Sequence, residues 1–158
     1  MSTSAQEVES VRDWLASFGA DETGGMTRLL FTPEWLDAQL ALKQKFEDLG
    51  MVAEFDEVGN LVGTYPGTDD TDDVIACGSH VDTVVHGGKL DGALGIFGGY
   101  LAIKDLVETH GVPKKSLRVI SMAEEEGSRF PFVFWGSKNM VGTVPETVLE
   151  GTLSSGLV

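Results

Sequence analysis

The sequence predicts an α/β fold, on three observations. The run Val74-Ile75-Ala76-Cys77 is apolar and β-rich, and it delivers a polar, Gly-rich loop carrying His80, Asp82, His86 and Asp91. A second apolar run, Arg118–Met122, leads at once into Ala123-Glu124-Glu125-Glu126-Gly127. Stretches of helical periodicity precede and separate these strands, the alternation that builds a mixed or mostly parallel sheet between helices. Open α/β sheets hold their ligands outside the carboxyl ends of the strands. The two loops are therefore where chemistry is expected.

Val8, Val11, Trp14, Leu15 and Phe18 recur at helical spacing, and Gly19 is a stop. Residues 20–30 are rich in Gly and Asp and read as a loop. Thr32-Pro33-Glu34 has the chemistry of a helix start: a capping hydroxyl, Pro at the first helical position and an acid in the first turn. Trp35, Leu36, Leu40, Leu42, Phe46 and Leu49 continue that helix to Gly50. The aromatic residues of both helices read as core.

Met51–Asp56 and Leu61–Tyr65 read as short strands joined by Glu57-Val58-Gly59-Asn60. Pro66–Asp73 is a polar loop. Its Asp69, Asp70, Asp72 and Asp73 lack a full EF-hand spacing and read as a solvated turn. Gly92–Val107 reads as a helix whose early glycines and alanine permit close packing on the sheet at a cost in helix propensity. Thr109–Lys115 is a turn, with His110 as a helix cap. Residues 127–140 read as a loop with aromatic content, and from Val141 onward little periodic signal remains.

The chain has 158 residues, of which 42% are hydrophobic and 23% charged. That suits one globular domain or a substantial part of one. A net charge of -14 repels phosphate backbones and anionic lipid, which argues against nucleic-acid and membrane partners. The N-terminus lacks the basic and apolar regions of a signal peptide, and no apolar run approaches the ~20 residues of a membrane span. A cytoplasmic, reducing setting is expected. The single cysteine, Cys77, sits in an apolar strand and reads as a small buried core residue.

Two strand ends, one with His and Asp and one with adjacent Glu residues, suit a hydrolytic site with two divalent cations. Such a site needs a bridging carboxylate, further ligands on each ion and a base for the water between them. His80 supplies a neutral imidazole nitrogen. Asp82, two residues on, lies on the same side of an extended chain and is placed to accept the other ring N–H. Asp91 is short and opens a helix, whose dipole keeps a carboxylate ionised. Side chains of Glu125 and Glu126 diverge in an extended backbone, so one can bind metal while the other reaches the water. His86, followed by Gly87 and Gly88, reads as part of a mobile loop and not as a ligand.

The stretches G-S-H-V-D-T-V-V-H-G-G-K-L-D-G-A-L-G and M-A-E-E-E-G-S-R-F-P-F-V-F-W-G-S-K-N resemble the M20 metallopeptidase-like amidohydrolases. Within them the similarity is to the branch holding allantoate amidohydrolase, N-carbamoyl-L-amino-acid hydrolase and β-ureidopropionase. S-F-G-A-D-E-T-G-G-M-T-R-L-L-F-T-P-E-W-L and F-D-E-V-G-N-L-V-G agree in order and spacing, so the resemblance runs from about Trp14 to Gly142. It implies an α/β three-layer, di-metal aminopeptidase-like catalytic domain. His80, Asp91 and Glu126 would be metal ligands, with Asp91 bridging two ions of Mn²⁺ or Zn²⁺. Glu125 would be the general base, and Asp82 would orient His80. The implied reaction is hydrolysis of a small ureido substrate. Allantoate is the first choice, an N-carbamoyl-L-amino acid the alternative, and a catalytically inactive fragment the third reading. Family members are longer. They carry two more metal-binding His residues and an inserted dimerisation domain, through which they form homodimers. By this resemblance residues 1–158 are the N-terminal portion of the catalytic domain, without the inserted domain.

Overall fold

The computed structural model describes residues 3–69 and 72–148. Asp70 of the acidic turn and residues 149–158 of the tail lie outside them. Helix α1 (Ala5–Ala16) begins at Ser4, whose hydroxyl accepts the Glu7 N–H. Helix α2 (Pro33–Asp48) starts as its sequence predicts, with Thr32 as the N-cap and Pro33 at the first position. Strands β1 (Val52–Phe55) and β2 (Leu61–Tyr65) form an antiparallel hairpin. Asp56 shapes its turn by accepting the N–H groups of Val58 and Asn60.

Strand β3 (Val74–His80), helix α3 (Ala93–His110) and strand β4 (Ser116–Met122) form a crossover unit in which β3 and β4 pair in parallel. Parallel neighbours need such a connection, because no tight turn can reverse the chain direction twice. The sheet order is β1-β2-β4-β3. It is a mixed sheet, antiparallel at β1/β2 and β2/β4 and parallel only at β3/β4. Helix α3 runs to His110, past the Val107 expected from sequence. A short helix α4 (Trp135–Met140) occupies a stretch read from sequence as loop. Its six residues are too few for a helical period to register.

Ala53, Gly63, Val119 and Cys77 lie opposite one another across the four strands and share one face. Helices α2 and α3 pack on that face. A Cβ on Gly63 would sit 2.5 Å from the Phe46 ring, and one on Gly99 would sit 2.6 Å from the Cys77 sulfur. The small residues of α3 thus serve the close approach expected of them. Helix α1 rests on α3, tied by the Lys104 ammonium to Glu7 at 2.8 Å. Leu15, Leu42, Phe46, Leu61, Ile96, Phe97 and Val119 are the centre of the core. Phe46 is wholly buried and stacks on Tyr100 at 6.0 Å between ring centroids. Phe46→Ala is expected to destabilise the fold by about 3–5 kcal/mol through lost burial and a residual cavity, read as a lowered urea midpoint.

The opposite face is open at both edge strands, where Val52 is 60% and Val74 38% exposed. Among the described residues the architecture is a mixed sheet with its helical layer on one side, consistent with an incomplete three-layer domain. Cys77 is exposed, contrary to the sequence reading. Its strand has the apolar composition of a central strand but lies at the edge of the sheet among the described residues, so α3 meets the thiol on one side only. No helix among the described residues is long and apolar enough to cross a membrane.

Candidate metal centre

Parallel pairing in register sets His80 opposite Met122. Strands β3 and β4 therefore end at the same edge, and the loops that follow them meet. Helix α3 starts at that edge too. His80, the last residue of β3, Asp91, just before α3, and Glu126, in the loop after β4, each place one ligand atom within 4.8 Å of the other two. Ala93 donates its N–H to the Asp91 carbonyl at 2.6 Å across Gly92, whose φ of 62° and ψ of -52° make a γ-turn of the rarer, positive-φ kind. That turn brings Asp91 against His80: a Cβ on Gly92 would lie 2.5 Å from the His80 Cε1.

His80 is buried, and its Nδ1 lies 2.9 Å from the backbone carbonyl of Asp82. A carbonyl only accepts, so Nδ1 carries a proton, and it is the Nε2 of the neutral ring that has a lone pair to offer. The Glu125 carboxylate lies 3.5 Å from Nε2. Asp82 thus meets His80 through its main chain. Its carboxylate stands 3.7 Å from the same Nδ1 and accepts the Glu126 N–H at 3.1 Å. One imidazole nitrogen with a free lone pair and two carboxylates is a donor set that suits a borderline divalent cation, and their spacing lets small side-chain rotations bring all three onto one ion. Burial, then the neighbouring Asp91, pushes the Glu126 carboxyl above its ordinary range. A cation there would relieve that crowding.

Burial pushes the Asp82 carboxyl up to about 6, with Glu124 adding to the rise and the Glu126 N–H and His80 opposing it. Below its ordinary value of 3.8 the group is protonated in both folded and unfolded chains. Between about pH 4 and 6 the unfolded chain has released that proton while the folded chain still holds it. Asp82 therefore makes the metal-free protein lose stability as pH rises through this window, by on the order of 3 kcal/mol, with no further change above it. Urea midpoints from pH 4 to 7 should show Asp82→Asn lacking this component of the slope.

Several residues that shape the site went unread in the sequence. Glu124 is buried at a φ of 50°, and its carboxylate accepts the N–H groups of Arg129 and Phe130 at 3.1 and 2.9 Å. Of the three consecutive glutamates, this one faces inward and holds the aromatic loop. Asn60 accepts the Ala123 N–H at 2.8 Å and donates to Asp56 at 2.7 Å. From the other side, the N–H groups of Phe134, Trp135 and Gly136 donate to the carbonyls of Glu125, Glu124 and Ala123. Arg28 is wholly buried, and desolvation brings its guanidinium down to about 10. One signal was available: Arg28 stands alone among Met26, Leu29 and Leu30. His86 is no part of the metal cluster, yet its loop is anchored. Its Nδ1 lies 2.8 Å from the Asp21 carboxylate, and Met26 and Gly87 exchange backbone hydrogen bonds beside it.

The model of peptidase family M28 matches residues 60–149. The chain is 54% identical over 134 residues to the allantoate amidohydrolase of Bacillus subtilis, covering 85% of this chain and 32% of that protein. It is 53% identical over 137 residues to the allantoate amidohydrolase of Escherichia coli, covering 87% and 33%. The crystal structure of a hydantoinase/carbamoylase family amidase from Burkholderia ambifaria superposes with a TM-score of 0.88 at 30% identity, covering 92% of this chain and 36% of that one. The chain thus spans about a third of the length of the curated relatives it matches. With a family model spanning more than half of it, the chain belongs to peptidase family M28, and the relatives it is similar to are allantoate amidohydrolases and a hydantoinase/carbamoylase family amidase.

Proposed function

We propose that this chain carries part of the catalytic machinery of a metal-dependent amidohydrolase that cleaves linear ureido C–N bonds, with allantoate as the substrate. The observation that carries the reading is the convergence of His80, Asp91 and Glu126 from three separate segments, in a chain 54% identical over 134 residues to an allantoate amidohydrolase. His80 through Nε2, Asp91 and Glu126 would hold divalent metal, Mn²⁺ or Zn²⁺. When bound, such ions lower the pKa of a coordinated water and polarise a carbonyl.

The Asp82 carbonyl keeps the His80 proton on Nδ1, and the Asp82 carboxylate steadies the backbone of Glu126. Glu125, beside His80 and partly open to solvent, takes a proton from the attacking water. The water oxygen bonds to the ureido carbon, the bond from that carbon to the terminal nitrogen breaks, and Glu125 returns the proton to the departing ammonia. The carbamic acid left behind loses carbon dioxide. From allantoate this gives ureidoglycine, ammonia and carbon dioxide. N-Carbamoyl-L-amino acids present the same ureido group and are the alternative substrate.

A second reading is a folded layer without a complete site. It is favoured by the open edge at β3, where Ile75 is 60% exposed. That edge presents unpaired backbone groups, the feature that promotes association. One experiment separates the readings. The chain with added Mn²⁺ is assayed for ammonia release from allantoate and from an N-carbamoyl-L-amino acid, and the metal is titrated calorimetrically. Release from allantoate supports the first choice, release from the carbamoyl compound alone moves the assignment to a carbamoylase, and neither turnover nor metal binding leaves the partial layer.

A further inference from the structure

Arg28 heads the large side chains that are fully shielded from solvent, and the reaction above makes no use of it. Its Nε donates to the Val81 carbonyl at 2.8 Å, and Nη1 donates to the carbonyls of Leu15 at 2.8 Å and Phe18 at 3.2 Å. Its main chain grips the same strand end. The Arg28 N–H donates to Thr83 Oγ1 at 2.9 Å, and the Arg28 carbonyl accepts the Thr83 N–H at 3.1 Å. Val81 and Thr83 flank Asp82, whose carbonyl accepts the His80 Nδ1–H at 2.9 Å.

A cation in a protein interior is costly unless its donors are used. Closing the end of α1 does not require one, since exposed basic side chains or water satisfy terminal carbonyls elsewhere. What the buried position adds is reach from α1 to the residue between His80 and Asp82. We propose that Arg28 is a positioning residue of the metal centre. It holds Val81 and Thr83, so the Asp82 carbonyl between them is fixed, and that carbonyl keeps the His80 proton on Nδ1 and leaves Nε2 free for metal. The inference rests on the reading of His80 as a ligand.

The test compares the full chain with Arg28→Met, Arg28→Lys and Phe18→Ala. Long-range ¹⁵N–¹H spectra report the tautomer of each of the three histidines, and calorimetry reports Zn²⁺ affinity. Arg28→Met is expected to turn His80 from a single Nδ1–H tautomer into a mixture and to weaken Zn²⁺ binding about tenfold or more. Arg28→Lys, with one compact donor group, should fall between, and it decides the matter if the Met variant does not fold. Phe18→Ala loosens packing at the same end of α1 without touching the Val81 contact. It should lower the melting temperature and leave tautomer and affinity unchanged. Unchanged His80 and Zn²⁺ binding in the Arg28 variants would overturn the proposal, as would an equal loss in Phe18→Ala. Failure of the unaltered chain to bind Zn²⁺ would count against the metal reading, and the tautomer comparison would then judge Arg28 alone.

Discussion

Glu125→Gln is expected to abolish ammonia release while leaving metal binding within a few-fold of the unaltered chain. The two functions separate because the groups separate. The cluster whose ligand atoms fall within 4.8 Å of one another is His80, Asp91 and Glu126. Glu125 stands beside it, 3.5 Å from His80 Nε2. An amide of the same shape keeps the packing but takes no proton from water, and loss of a general base costs on the order of 10²–10⁴ in rate. His80→Ala should fail in the reverse order, losing calorimetric Mn²⁺ binding first and turnover as a consequence. If Glu125→Gln lost metal binding as completely as His80→Ala, Glu125 would be a ligand and the assignment of the base would be wrong.

The parts of this site that were legible in the sequence are those whose chemistry is written locally. An apolar run ending in His80 and another ending in three glutamates state both the strand and its cargo, and the parallel pairing of β3 with β4 does the rest. The caps of α1 and α2 were equally local, since Ser4 and Thr32 act on N–H groups three residues away. What could not be read depends on contacts far apart in sequence. Cys77 looked buried because its strand is apolar, and only strand order shows that β3 is an edge. The loop around His86 looked mobile because of its glycines, yet residues about sixty positions earlier hold it.

The same division explains the three glutamates. Periodicity in an extended chain separates Glu125 from Glu126 but gives no reason to set Glu124 apart. Its inward turn follows from a positive φ and from two N–H groups five and six residues downstream. The resemblance to known amidohydrolases supplied roles for Glu125 and Glu126 and was silent on the struts behind them. Asn60, Glu124 and Arg28 are such struts. Each is buried, and each bonds main chain of a loop that carries a candidate ligand or base: Asn60 the Ala123 N–H, Glu124 the N–H groups of Arg129 and Phe130, and Arg28 the Val81 carbonyl.

Gly92→Ala is expected to damage stability and metal binding together. Two costs fall on one atom. The backbone at φ 62°, ψ -52° is a region that residues with a Cβ rarely adopt, and holding alanine there costs about 1–3 kcal/mol. The added Cβ would also stand 2.5 Å from His80 Cε1 and 2.6 Å from Nδ1, inside van der Waals contact with the ring that the site depends on. Relief by flattening the γ-turn would swing Asp91 away from His80, and relief by moving the ring would break the bond from Nδ1 to the Asp82 carbonyl. Either way the ligand cluster opens. A loss of about 2–4 kcal/mol in urea denaturation and a fall of at least tenfold in Zn²⁺ or Mn²⁺ affinity should accompany one another. Gly98→Ala, in the same helix with nothing within 4 Å of its Cβ, should do the opposite. It should raise stability by up to about 1 kcal/mol through helix propensity and leave metal binding untouched. Equal behaviour of the two variants would mean that the approach of α3 to His80 is not what assembles the site.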